Sequence, residues 1–175
     1  MQRLTLTFAF ALLCACGTSG STSGQATPSS TALSCTASGN ASPSWPAPQS
    51  ASASTPAIAS VVVSGDTVRV TFAAGTPQFQ VEPTTSAHFT TDPGGQPIDL
   101  AGTAGVKVVL RGFRGDVQNY RGHTSFTSTG PLLLQVSEVG DFEGVVTFAM
   151  GLSKAGCANV TASGSTLTFQ LIPSP

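Results

Sequence analysis

Residues 67–72 read TVRVTF, and in this stretch Val68, Val70 and Phe72 alternate with polar side chains. An apolar residue at every second position places all the apolar side chains on one face of a β-strand. The same alternation recurs further along the chain. It is found at Phe79 and Val81, at Ile98 and Leu100, at Val106, Val108 and Leu110, at Leu132, Leu134 and Val136, at Val146, Phe148 and Met150, and at Leu167, Phe169 and Leu171.

The apolar run from Ile58 to Val63 adds one more strand to this set. Gly, Pro, Asp and Ser separate the strands, and no stretch has the apolar period of a helix. We therefore predict an all-β fold, a single β-sandwich of about seven to eight mainly antiparallel strands that spans residues 57–175. The long connection from Gly112 to Gly130 lacks alternation, and loops of that length often carry function.

The first fifteen residues have the features of an export signal. Arg3 provides a positive charge, and the apolar stretch from Leu4 to Leu13 is too short to span a bilayer. The sequence Leu13-Cys14-Ala15-Cys16 is similar to the lipobox of bacterial lipoproteins. We therefore predict a signal peptide over residues 1–15 and acyl chains such as palmitate on Cys16. A signal that is cleaved without lipidation is the alternative.

These acyl chains would anchor the exported protein to the outer face of the cell membrane or of an outer membrane. Residues 17–56 contain no Asp, Glu, Lys or Arg and consist mostly of Ser, Thr, Ala, Gly and Pro. Such a segment cannot bury enough apolar area to offset the entropy lost on ordering. We therefore predict that residues 16–56 are a lipidated cysteine followed by a disordered linker.

The cysteines of the chain also indicate an exported protein. Cys14 leaves with the signal and Cys16 carries the lipid, so only Cys35 and Cys157 remain. Thiols in an oxidising compartment tend to pair. We predict a disulfide between Cys35 and Cys157, and two unpaired thiols are the alternative.

Composition argues against several functions. Charged residues make up 9% of the chain and the formal net charge is -1, so there is no basic surface for nucleic acid. His88 and His123 are the only histidines, too few for a His-rich metal site. No Gly-x-Ser-x-Gly motif is present. We therefore expect no catalytic residue, no metal and no cofactor.

Two groups of residues are candidates for ligand binding. One lies in and beside the long connection. Its members are Arg111, Arg114, Tyr120, Arg121 and His123. Arginines that form bidentate hydrogen bonds beside a stacking aromatic ring can hold the hydroxyls and carboxylates of a cell-wall glycan. The alternative is a solvated strand end.

The second group is Gly140-Asp141-Phe142-Glu143-Gly144. In the functional interpretation, Asp141 and Glu143 are alternate residues on one face and present carboxylates to a ligand or to cations of a partner. In the structural interpretation, this segment is a hairpin turn or bulge with Phe142 tucked under it.

Three segments resemble the AMIN-like domain of bacterial envelope lipoproteins, over about residues 60–175. They are residues 92–102, then Tyr120-Arg121-Gly122 together with residues 128–131, and residues 140–144 running into 145–152. Phe148 stands where members commonly carry Trp. The resemblance implies a β-sandwich with a binding or targeting role, because the related AMIN domain localises cell-wall amidases by binding peptidoglycan.

The resulting hypothesis is a non-catalytic, membrane-anchored module that binds peptidoglycan or another wall polymer. One alternative is an accessory subunit that pairs with an envelope protein through a sheet edge. The other is an envelope hydrolase.

Overall fold

The computed structural model describes residues 30–31, 57–115 and 117–174. These residues form twelve strands and no helix, which confirms the all-β prediction. Accordingly, none of the described segments is a helix long and apolar enough to cross a membrane. The strands are β1 (Ser30–Thr31), β2 (Ile58–Ser64), β3 (Thr67–Phe72), β4 (Gln78–Thr84), β5 (His88–Thr90), β6 (Pro97–Asp99), β7 (Ala104–Arg111), β8 (Ser125–Thr127), β9 (Leu133–Phe142), β10 (Val145–Leu152), β11 (Gly156–Ser163) and β12 (Thr166–Pro173).

Two antiparallel five-stranded sheets pack face to face. Sheet A has the order β1-β11-β12-β3-β2, and sheet B has the order β4-β7-β10-β9-β8. Their inner faces meet in one apolar core, to which Val70 and Phe169 contribute from sheet A and Val108 and Phe148 from sheet B. The predicted sandwich is therefore present, and most of the residues that alternate in the sequence fill it. The exceptions are Ile98 and Leu100, which belong to a separate cluster, and Leu134, which is half-buried.

A third layer was not expected from the sequence. Strands β5 and β6 form a two-stranded ribbon that covers part of the outer face of sheet B. Phe89 and Leu100 of this layer pack against Val139 and Ala149 of sheet B. The ribbon approaches so closely that a Cβ on Gly140 would lie 2.6 Å from the carbonyl oxygen of Asp92, so only glycine fits there.

Strand β11 is a core strand that the apolar pattern did not predict. Ala158, Val160 and Ala162 point into the core, but two of these three side chains are too small to give a clear period. Val160 and Thr161 also pair with β1, which places the described residues Ser30 and Thr31 beside the edge of sheet A. The other strands missing from the prediction, β1, β5 and β8, have two or three residues each.

Most of the N-terminal predictions fall outside the described residues. This holds for the signal peptide over 1–15, for Cys16, for Cys35 and for all of the predicted linker except residues 30–31. Cys157 lies on β11 and is only 3% exposed. The lipid anchor and the disulfide therefore stay predictions.

Candidate functional site

The β9–β10 hairpin closes through a two-residue turn made of Glu143 and Gly144. Both residues have left-handed backbone, with φ values of 49° and 76°, as a type I′ turn requires. Phe142 and Val145 are therefore directly opposite each other. Glu143 belongs to the turn and not to a strand face. The predicted arrangement of Asp141 and Glu143 as alternate residues on one face is thus wrong.

The turn fixes which side chains lie on the outer face of sheet B at this end. Val146 is buried between the sheets, so its neighbour Val145 faces away from the core. Residues directly opposite each other in an antiparallel ladder share a face. Val145 is opposite Phe142 on β9 and Arg111 on β7, and Arg111 is opposite Gln78 on β4. We call Phe142, Val145, Arg111 and Gln78 the hairpin row.

The hairpin row is open to solvent. Phe142 is 45% exposed and Arg111 is also exposed, whereas Val145 and Gln78 are half-buried. Because neighbouring strands lie about 4.8 Å apart, the row is about 14 Å long. Phe142 is therefore not tucked under the turn. Its ring lies on the same surface as the guanidinium group of Arg111, which is two strands away.

This combination suits a ligand that is partly apolar and partly anionic. The face of an aromatic ring carries partial negative charge, which attracts polarised C–H groups such as those on a sugar ring. The guanidinium group of Arg111 can donate two parallel hydrogen bonds to a carboxylate. The amide of Gln78 offers both a donor and an acceptor for hydroxyl groups.

The long connection passes directly against the hairpin turn. The backbone N–H of Phe113 donates to the carbonyl oxygen of Gly144 at 3.1 Å. A Cβ on Gly115 would lie 3.4 Å from the carbonyl carbon of Glu143. Arg114 stands between these two contacts. Of the predicted site residues, the structure therefore brings Arg111, Arg114 and Glu143 together at one end of the sandwich.

Asp141 has a structural task in this arrangement. Its carboxylate accepts hydrogen bonds from the backbone N–H groups of Asn119 and Tyr120 and from the side-chain amide of Asn119, the last at 3.0 Å. Asn119 in turn accepts a hydrogen bond from the N–H of Ile58 at 3.1 Å. Asp141 therefore anchors the long connection onto the sandwich, and its oxygens are already engaged.

Tyr120 is also placed differently from the prediction. It is only 4% exposed, and its ring packs edge-on against Phe148 at 5.9 Å between centroids. Gly122 makes room for it, because a Cβ there would lie 2.3 Å from the Tyr120 hydroxyl oxygen. Tyr120 is therefore too buried to supply the stacking aromatic ring of the predicted site, whereas Phe142 is exposed.

Glu138 is a notable residue that sequence reasoning missed. It lies opposite Phe148 on the inner face of sheet B, and its Oε2 atom is buried without a hydrogen-bond partner in the described part of the chain. Burial, followed by the charge of Asp141, raises the pKa of Glu138 to about 7. The sequence does contain a signal, since Glu138 follows the core residue Val136 by two positions.

Arg121 and His123 lie further along the connection, before β8. Both are exposed, and the ring of His123 contacts Phe126 edge-on at 6.4 Å between centroids. The other histidine, His88, pairs with Asp99 on the ribbon. Among the described residues, no three His, Cys, Asp or Glu side chains are grouped so that they could hold a metal ion.

Comparison with known proteins gives one match. A family model described as AMIN-like domain matches residues 65–165, which include β3 to β11 and all of the hairpin row. Neither a curated protein nor a solved structure matches the chain.

Proposed function

The chain belongs to the AMIN-like domain family, and on that premise we propose that it is a non-catalytic module that binds a carboxylate-bearing wall glycan such as peptidoglycan. The observation that carries this proposal is the exposed ring of Phe142 on the same outer face as Arg111. The family supports an envelope location and a peptidoglycan-associated role. The hairpin row supplies a surface with suitable chemistry.

In this proposal the ring of Phe142 covers the apolar face of a sugar. Arg111 binds a carboxylate of the sugar or of an attached peptide, and Gln78 bonds to neighbouring hydroxyls. Arg114 and Glu143 border the same end and contribute further polar contacts. Asp141 and Tyr120 act indirectly, because they hold the connection that carries Arg114 in place.

Co-sedimentation with purified peptidoglycan tests the proposal. The sample is the full chain carrying Cys16→Ser, so that lipid does not contribute to sedimentation. Phe142→Ala and Arg111→Gln should each weaken binding about tenfold, the size expected for loss of a charge-assisted or stacking contact. Phe142→Leu keeps apolar bulk but removes the ring, and it should also weaken binding.

Lys154→Gln is the matched control. Lys154 is exposed and lies between β10 and β11, at the opposite end of β10 from the hairpin turn, and the substitution should leave binding unchanged. Equal sedimentation of the parent and of Phe142→Ala and Arg111→Gln would reject the hairpin row as the site. No enrichment of the parent over an unrelated protein would reject wall binding itself.

Binding of an envelope protein through a sheet edge is the second hypothesis. Strand β4 is an edge of sheet B but contains Pro83, and the opposite edge, β8, has three residues. Strand β2 is an edge of sheet A, has seven residues like β4 and contains no proline, so it is the best suited of the described edge strands. Crosslinking in intact cells from a photoreactive residue at Ser60 would detect a partner there.

A further inference from the structure

The outer face of sheet A is a second exposed surface, on the opposite side of the sandwich from the hairpin row. Its central row is Val62, Arg69, Thr168 and Thr161, which are paired in that order across β2, β3, β12 and β11. The residues between them along each strand, such as Val70 and Phe169, are buried in the core. The central row and the rows on either side of it therefore point outward.

This face is made almost entirely of short neutral polar side chains. Apart from Val62 and Arg69, every outward residue in the central row and the two flanking rows is Ser, Thr, Asn or Gln. Cross-strand bonds already order part of it, since the Thr67 hydroxyl donates to Gln170 Oε1 at 2.6 Å. The surface is thus a flat array of hydroxyl and amide groups around one cation.

Arg69 is the only charged residue in these rows. It is exposed, and no ion pair or hydrogen bond of its side chain is found within the described ranges. The acidic residue in the adjoining β2–β3 turn, Asp66, is engaged elsewhere, because its Oδ1 accepts from the N–H groups of Leu132 and Leu133 at 2.9 and 2.8 Å. A shallow depression of about 220 Å³ lies beside Arg69 and is lined also by Val62, Ser64 and Thr67.

The chemistry of this face excludes several kinds of occupant. Protein interfaces are enriched in aromatic residues and depleted in Ser, whereas these rows contain no aromatic residue and many hydroxyls. Anionic membranes require clusters of Lys and Arg, and one Arg does not form a cluster. Nucleic acid strands are bound by aromatic side chains on which their bases stack, and these rows contain none. A pyranose glycan is favoured by an aromatic platform, which this face lacks and the hairpin row has.

We propose that the outer face of sheet A binds an acyclic polyol phosphate polymer, with Arg69 paired to a phosphate and the surrounding Ser, Thr, Asn and Gln side chains bonded to the polyol hydroxyls. Such a polymer offers hydroxyls along its length, carries one negative charge in each repeat and has no ring that needs stacking. A guanidinium group suits a phosphate because it donates two parallel hydrogen bonds. This site is separate from the hairpin row and does not depend on the glycan proposal.

Titration with poly(glycerol phosphate) tests the proposal, with binding measured by calorimetry on the full chain carrying Cys16→Ser. We expect saturable binding that weakens as salt is added. Arg69→Gln should weaken it about tenfold, as expected for a charge-assisted contact, and Thr168→Val, which replaces a hydroxyl with a methyl group, about threefold. Lys154→Gln is the control for general charge and should bind like the parent.

Three results would overturn the proposal. They are no binding of poly(glycerol phosphate), binding that is unaffected by Arg69→Gln, and equal binding of polyglycerol without phosphate. Loss of binding in Phe142→Ala would also contradict it, because the ligand would then sit on the hairpin row. Circular dichroism and thermal melting of Arg69→Gln and Thr168→Val should match the parent, since both residues are on the surface.

Discussion

Asp141 holds Asn119 by two hydrogen bonds, one to the backbone N–H and one to the side-chain amide. Together with the bond from the N–H of Tyr120, this contact fastens the long β7–β8 connection to β9. We predict that Asp141→Ala lowers the free energy of unfolding by about 2 to 4 kcal/mol, because it leaves partly buried donors without an acceptor. Urea denaturation measures this. If Asp141→Ala reduced ligand binding but left the free energy of unfolding unchanged, Asp141 would be a ligand-binding residue and not an anchor of the connection.

Glu138 should make stability depend on pH. Its folded pKa of about 7 lies above 4.5, the ordinary value for a glutamate carboxyl group, so the folded state holds the proton more tightly than the unfolded state. The contribution of Glu138 to the free energy of unfolding should therefore be greatest below about pH 4.5 and should fall as the pH rises to about 7. Glu138→Gln should remove this fall.

The expected gain for Glu138→Gln at pH 8 is about 1 kcal/mol, after allowance for solvent screening of a half-exposed group. At pH 4 the variant and the parent should be nearly equally stable. Melting temperatures measured across pH 4 to 8 on both proteins check this. Parallel pH profiles for the two proteins would contradict the assignment of the raised pKa to Glu138.

Gly122 should not tolerate a side chain. A Cβ at this position would lie 2.3 Å from the hydroxyl oxygen of Tyr120, and the Tyr120 ring is held against Phe148. Gly122→Ala should cost about 1 to 3 kcal/mol of stability, as overpacking does. Gly115→Ala is the matched control, since its nearest contact would be 3.4 Å and its effect should be much smaller. Thermal unfolding of both variants provides the comparison.

Measurement of the intact mass after alkylation tests the predicted disulfide between Cys35 and Cys157. Cys157 is buried although its position in β11 alternates with the inward residues Ala158 and Val160, which is consistent with a covering partner such as Cys35. Alkylation without reductant should add no label to either residue, and alkylation after reduction should label both. Labelling of both residues in the unreduced, denatured protein would disprove the pairing.

Lipidation is tested by localisation. Cys16→Ser should shift the exported chain from the membrane fraction to the soluble fraction, because the acyl chains that hold it can no longer be attached. Fractionation followed by immunoblotting measures the shift. Cys14→Ser is the control and should stay with the membrane. A Cys16→Ser protein that remained membrane-bound at full yield would refute the anchor.

Much of the fold follows from alternation alone. Strands such as β3 and β7 carry large apolar residues at every second position, so their burial is readable from the sequence. The burial of strand β11 cannot be read from the sequence, because Ala158 and Ala162 are too small to give a clear apolar pattern. In β9, a register irregularity beside Leu134 places Leu133 in the core, and such a shift depends on the partner strand and not on local pattern.

The candidate site was only partly predictable. The prediction included Arg111, Arg114 and Glu143, but it chose Tyr120 as the aromatic contact. Phe142 could have been found, because a two-residue turn at Glu143–Gly144 places it opposite Val145 and thus outward. Tyr120 could not, since its burial depends on the long connection folding back onto Asp141, a contact between positions far apart in the chain. Arg69 could be recognised from the sequence as the charged residue of its strand, but the absence of a neighbouring acidic group depends on the order of the strands in the sheet.

The back-to-back packing of the two sheets has a geometric consequence. The hairpin row lies on the outer side of sheet B and the hydroxyl-rich surface on the outer side of sheet A, so the two point in opposite directions. Two polymers bound to these surfaces would not obstruct each other, and one small domain would crosslink adjacent polymer layers of the envelope. Simultaneous binding at both surfaces raises the overall affinity, even where each contact alone is weak.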